Sequence, residues 1–242
     1  MQSKTILITG ATSGIGLTLT EKSIEAGYKV IVTGRNQDKL DQIAKDLGVK
    51  TYLADSSNLT QLAALGRSLK NDGITLDGVV LNAGVFYPKS FAETTPEDFD
   101  EMFAVNNKGP FFTLQALLPS LDNPASVVFI SSIGVIKGFP GASTYSASKA
   151  AFEATIRVLN MELADNGVRV NIIRPGITAT DIHNKAGMTA EQQQGTFDSL
   201  KSTPLGRELK PNDHVGAILY LLSDASLALR NTVIDIEGGF LL

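Results

Sequence analysis

The sequence predicts one α/β domain: a doubly wound sheet of about seven parallel strands, covered by helices on both faces. Three observations predict it. Apolar strand-like runs alternate with helical patterns through short links. A glycine-rich turn joins the first strand to the first helix. No linker, repeat or low-complexity segment breaks the 242 residues into separate blocks.

The elements follow in order. The run Lys4–Thr9 is rich in β-branched residues and reads as a buried strand over Ile6–Thr9. Further strand-like runs lie at Lys29–Thr33, Lys50–Leu53, Gly78–Leu81, Ser126–Ser131, Val168–Ile173 and Thr232–Ile236. Helical patterns fill the gaps at Leu17–Ala26, Gln37–Leu47, Leu59–Leu69, Pro96–Leu118, Ser143–Ala164 and Pro211–Leu222. Strand–helix alternation demands parallel pairing, because each crossover helix returns the chain to the same edge. The stretch Gly176–Leu209 (residues 176–209) has few periodic features and reads as an irregular substrate-binding loop within the single 1–242 domain.

Two motifs carry chemistry. The turn after the first strand reads Gly10-Ala11-Thr12-Ser13-Gly14-Ile15-Gly16. Gly10 permits a tight turn, Gly14 lets backbone approach a pyrophosphate, and Gly16 lets the helix pack close to the strand. The N–H groups and dipole of the following helix would face phosphates. No Gly-Lys-Ser/Thr ends the motif, so it is not a P-loop. The second motif is Tyr145-Ser146-Ala147-Ser148-Lys149. On a helix, residues four apart share a face, so Lys149 would lie one turn from the Tyr145 phenol. A nearby cation lowers a phenol's pKa and fits it for proton transfer at a carbonyl or alcohol oxygen.

Composition narrows the function classes. A net charge of −4 and a pI near 5.2 argue against a general nucleic-acid or anionic-membrane surface. The absence of cysteine excludes disulfides and thiolate metal sites. No signal peptide and no apolar run of about 20 residues is visible, and the expectation is a cytoplasmic protein. His183 and His214 are far apart in polar surroundings; both read as surface residues rather than metal ligands.

Together these residues resemble the short-chain dehydrogenase/reductase family, classical type, from Thr9 to Gly239. Thr9-Gly10-Ala11-Thr12-Ser13-Gly14-Ile15-Gly16 is similar to its cofactor loop, and Asn82-Ala83-Gly84 to its Asn-Ala-Gly motif. Ser132, thirteen residues before Tyr145, and Asn106 resemble its catalytic serine and asparagine. Pro175-Gly176-Ile177-Thr178-Ala179-Thr180 is similar to its Pro-Gly segment. The resemblance implies a catalytic set Asn106, Ser132, Tyr145 and Lys149. Tyr145 would be the acid/base, Ser132 would orient the substrate oxygen, and Asn106 would hold a water in a proton relay. Lys149 would lower the phenol's pKa and reach the nicotinamide ribose. The choice of Ser132 over Ser131 rests on the resemblance alone. It also implies cofactor contacts from Gly10, Thr12, Ser13, Gly14, Ile15, Gly16, Asn82, Ala83, Gly84, Pro175, Gly176, Thr178 and Thr180. Asp55 would meet the adenine, or else is a solvated strand-end carboxylate.

Cofactor choice is read at the end of the second strand, Val32-Thr33-Gly34-Arg35-Asn36. Gly34 stands where NAD-preferring sites carry an acid, and Arg35 offers a fork suited to a 2′-phosphate. NADP(H) is therefore expected to be preferred, with NAD(H) tolerated. Ser13 departs from the pattern, because many NADP-preferring members carry a second basic residue there. The expected activity is hydride transfer between NADP(H) and a ketone or alcohol; the alternative is a non-catalytic cofactor-binding regulator on the same fold. Phe86, Tyr87, Phe139, Ile182, Met188 and Phe197 are candidates for an apolar substrate pocket. On Ser143–Ala164, Phe152, Ile156, Leu159 and Leu163 form one apolar stripe and Ala151, Ala154, Val158 and Met161 a second. The second stripe is covered either by a subunit of a homotetramer or homodimer or by another helix of the same chain.

Overall fold

The computed structural model describes residues 3–242, apart from the side chain of His183. Among the described residues, seven strands form one sheet in the order β3-β2-β1-β4-β5-β6-β7. They are β1 (Thr5–Ile8), β2 (Lys29–Gly34), β3 (Lys50–Leu53), β4 (Leu76–Leu81), β5 (Leu121–Ile130), β6 (Val168–Pro175) and β7 (Val233–Ile236). Every pairing is parallel. The chain first winds outward to β3, then returns to place β4 on the other side of β1. That reversal opens a crevice at the carboxyl ends of β1 and β4, where ligands of such sheets bind.

Alternation along each strand builds two cores. In β1, Leu7 points to one face and Ile6 and Ile8 to the other. The Leu7 face is covered by α3 (Leu59–Asn71), α5 (Gly109–Leu117) and α6 (Ser143–Glu162) through Leu62, Leu65, Leu114, Phe152 and Ile156. The opposite face is covered by α1 (Gly14–Glu25), α2 (Gln37–Leu47) and α9 (Asn212–Leu222) through Leu19, Leu40, Ile218 and Leu221. Phe129 of β5 and Phe152 of α6 are both fully buried and meet edge to face at 4.7 Å. Truncating either ring would cost about 3–5 kcal/mol. That packing fixes α6, and therefore Tyr145 and Lys149, against the end of β5.

Two sequence expectations change here. The stretch Pro96–Leu118 is not one α-helix. It divides into α4 (Pro96–Phe103), a π-helical turn over Ala104–Lys108 and α5. Pro110 lacks an N–H and crowds the carbonyl four residues back, so the ladder widens, and Gly109 N–H donates to Ala104 O instead. The segment 176–209 is also more regular than expected. It contains α7 (Ile182–Lys185) and α8 (Ala190–Ser199), and α8 starts with a reciprocal capping box between Thr189 and Gln192. No helix among the described residues is long and apolar enough to cross a membrane.

Candidate active site

The glycine turn is built by hydrogen bonds from the neighbouring strand. Thr9 Oγ1 accepts from the N–H groups of Asn82 and Ala83, both at 3.0 Å. Asn82 Nδ2 donates to the carbonyls of Thr9 and Gly10 at 2.9 and 3.1 Å. The ends of β1 and β4 are thereby stitched together at the crevice. Gly10 takes φ +63°, and a Cβ there would lie 2.7 Å from Ala83 Cα. Any side chain would wedge the stitch apart. Gly14, at φ +59°, opens α1.

Facing the turn is a cavity of about 1000 Å³. Its walls include most residues expected from the sequence: Gly10, Thr12, Ser13, Gly14, Ile15, Arg35, Asp55, Asn82, Ala83, Gly84, Ser132, Tyr145, Lys149, Pro175, Gly176, Thr178 and Thr180. Phe86, Tyr87, Phe139, Ile182 and Met188 line it as well, whereas Phe197 does not. Gly16 and Asn106 stand behind the wall. Gly16 packs on the Asn82 amide, where a Cβ would meet Nδ2 at 2.6 Å. A glycine-rich turn, the first turn of α1 and a cavity of this volume fit a dinucleotide. Asp55 accepts from Ser57 N–H and Oγ at 2.9 and 2.7 Å, so its carboxylate shapes the turn after β3 as well as lining the cavity.

The chemical wall comes from the end of β5 and the start of α6. Ser132 Oγ accepts from Gly134 N–H at 3.0 Å, which leaves its proton free to donate. Ser131, by contrast, is buried and donates to Glu153 Oε1 at 2.5 Å. Of the two serines, Ser131 has its proton committed to Glu153, whereas that of Ser132 is not used in its bond to Gly134. Tyr145 is half-buried, with Phe86 edge-on at 5.0 Å. Desolvation raises its phenol above the ordinary value, and hydrogen bonding with Ser132 opposes this. The net direction is opposite to the lowering expected from Lys149. The reason is that the Lys149 ammonium points at the Ile130 carbonyl, 2.8 Å away, and desolvation of the phenol dominates. Burial pushes Lys149 itself down to about 8, with Glu153 resisting the shift.

Asn106 sits on the π-helical turn and is fully buried. Its Nδ2 donates to Val85 O at 2.9 Å and to Ser148 Oγ at 3.1 Å, and its Oδ1 accepts from Val85 N–H at 2.9 Å. Both amide hydrogens are thus committed to holding the loop after β4 against α6. This side chain clamps the site's frame, which differs from the water-holding role that the resemblance implies.

Two site-linked residues escaped the sequence reading. Glu153 is buried and forms a fork with Arg174 through Oε1 at 2.8 Å and Oε2 at 2.5 Å. Its signal was present: it follows Lys149 by four residues on the same helix. His214, read as a surface residue, is fully buried. Its Nε2 lies 2.9 Å from Thr178 Oγ1, while Thr178 Oγ1 donates to Gly176 O at 2.9 Å. Burial drops the His214 pKa to about 4, against the pull of Asp213. The polar neighbours of His214 in sequence misled because α9 turns this one position inward. The side chain of His183 lies outside the described residues.

A seven-stranded doubly wound sheet with a glycine turn at its reversal point defines a single-domain Rossmann-type protein. Comparison with known proteins narrows the class. A family model described as "Enoyl-(Acyl carrier protein) reductase" matches residues 10–241. The NADP-dependent (R)-specific alcohol dehydrogenase of Lentilactobacillus kefiri is 31% identical over 99% of this chain and 97% of that protein. The 3-oxoacyl-[acyl-carrier-protein] reductase of Thermotoga maritima is 31% identical over 100% and 99%. Among solved structures, the glucose/ribitol short-chain dehydrogenase/reductase of Brucella melitensis superposes with a TM-score of 0.90 at 28% identity, covering 98% of this chain and 96% of that one. The chain belongs to the short-chain dehydrogenase/reductase family of oxidoreductases.

Proposed function

We propose that this protein is an NADP(H)-dependent oxidoreductase that interconverts a ketone and an alcohol, with Tyr145 as the proton-transfer residue. The observation that supports the reading is that Ser132, Tyr145 and Lys149 line the same cavity as the glycine turn. The bound nicotinamide cofactor supplies or accepts the hydride. The chain's own residues do the rest. The backbone of Gly10–Gly16 and the N-terminus of α1 hold the pyrophosphate. The Ser132 hydroxyl donates to the substrate oxygen and orients it toward Tyr145. In reduction, Tyr145 gives that oxygen a proton, a role suited to a phenol kept protonated by desolvation. The Lys149 ammonium offsets the negative charge left on the tyrosine. Asn106 and Glu153 act by position, the first on the loop after β4 and the second on Lys149. Phe86, Tyr87, Phe139, Ile182 and Met188 give the substrate end an apolar lining.

NADP(H) is favoured because Gly34 presents no carboxylate and Arg35 lines the cavity. The name of the L. kefiri relative agrees with that preference. A panel of ketones and alcohols assayed with both cofactors at the reduced-nicotinamide absorbance band tests the activity. Titration of both reduced cofactors against parent and Arg35→Ala tests the preference. The variant is expected to lose about 1.5–3 kcal/mol toward NADPH and far less toward NADH. Equal losses would show that Arg35 does not read the phosphate. Gly34→Asp is not used as a probe, because a Cβ there would meet Thr12 Cγ2 at 2.6 Å.

A further inference from the structure

The position that lacks a basic residue in the glycine turn is reached by one from elsewhere in the chain. Ser13 precedes the first residue of α1 in an extended conformation, and its side chain makes no capping bond to the helix. Its hydroxyl instead accepts from Lys185 Nζ at 3.0 Å. Lys185 ends α7, 172 residues away along the chain, in the segment that follows β6. The same segment sets Thr180 over the turn: a Cβ on Gly14 would lie 3.3 Å from Thr180 Cβ. Ser13, Gly34, Arg35 and Lys185 all line one cavity. Lys185 feels the positive charge of both Lys39 and Arg35, and Asp181 is the carboxylate that acts on it. Among the described residues, none of Arg35, Lys39 and Lys185 has an ion-pair partner. Gathering cations that repel one another and leaving them unpaired costs free energy, and a dianion among them would reverse that cost.

We propose that Lys185, reaching from α7 onto Ser13, is the second cation of a 2′-phosphate site whose first cation is Arg35. The inference rests on the NADP(H) reading above. The glycine backbone and the α1 N-terminus already serve the pyrophosphate, whereas Arg35 marks the ribose end of the cleft. Lys185 bonds to the side chain between the two. The lysine that discriminates the cofactors would then be carried by the segment after β6 that also lines the cavity through Ile182 and Met188.

Equilibrium titration tests this without turnover. NADPH, NADH, adenosine 2′,5′-bisphosphate and 5′-AMP are bound to parent, Lys185→Met and Lys185→Arg. Lys185 is exposed, so both variants are expected to keep the parent's melting temperature. Lys185→Met should weaken NADPH and the bisphosphate about tenfold or more and change NADH and 5′-AMP less than about twofold. Lys185→Arg should stay within about threefold of the parent for all four. Equal weakening of all four ligands by Lys185→Met would overturn the proposal, placing the lysine at the adenosine 5′-phosphate that all four share. No weakening of any would overturn it too. The cofactor reading fails separately: it is overturned if the parent binds NADH as tightly as NADPH. A parent preference for NADPH that survives Lys185→Met overturns only the role of Lys185.

Discussion

At the scale of single residues, burial sets the chemistry more than neighbouring charge does. Lys149 is 3% exposed, and its pKa of about 8 means that its charge is lost just above neutral pH. If that charge supports Tyr145, reduction should slow as pH rises through about 8, and the kcat/KM profile checks it. His214 gives a stability prediction with a definite sign. Its folded pKa of about 4 is below the ordinary 6.5. Between those values the unfolded chain takes up a proton that the folded chain refuses. Stability therefore falls as pH drops from 6.5 toward 4, by on the order of 3 kcal/mol at the lower end. Urea unfolding at pH 7 and pH 5 should show a larger loss for the parent than for His214→Gln. The same slope in both would remove His214 as the cause. Tyr145, Lys149 and the glycines were legible in the sequence because their spacing is local. His214 and Glu153 were not, because their burial depends on which way α9 and α6 roll against the sheet.

At the scale of elements, α6 does two jobs. Of its predicted inner stripe, Phe152, Ile156 and Leu163 are buried and Leu159 is partly buried against the same core. Lys149 and Glu153 sit one turn apart, and the Glu153–Arg174 fork ties α6 to β6. Glu153→Gln should cost about 1–3 kcal/mol, because it removes the fork from a part-buried guanidinium whose remaining partner is Asp235 at 3.7 Å. It should also move the alkaline limb of activity to lower pH, since the carboxylate that raises the Lys149 pKa is gone. A limb that stays put while stability falls would leave Glu153 a purely structural role. The outer stripe differs. Val158 is 50% and Met161 77% exposed, so no other helix among the described residues covers them. We propose that a second copy does, giving a homodimer or homotetramer. Met161→Glu together with Val158→Glu should lower the mass measured by light scattering, whereas an unchanged mass would place any interface elsewhere. The π-helical turn around Asn106 was hidden because its cause, Pro110, also fits an ordinary helix start. The two helices within 176–209 were hidden because they are short and polar.

At the scale of the whole molecule, the strand order and the position of the cleft follow from alternation of elements plus one glycine turn. That is why fold and cofactor cradle could be read together. Substrate identity could not, because the apolar lining comes from loops with no shared period. Arg35, Lys185, Ser132, Tyr145 and Lys149 all line one cavity, and the proposal divides cofactor recognition and proton transfer between them. The central claim is that Tyr145 moves the proton. Its most direct test is the rate of NADPH oxidation by a ketone that the parent accepts, measured for parent and Tyr145→Phe with NADPH affinity titrated alongside. The account predicts a fall of about 10²–10⁴-fold in kcat with cofactor affinity unchanged within about twofold. Turnover within about tenfold of the parent would contradict it.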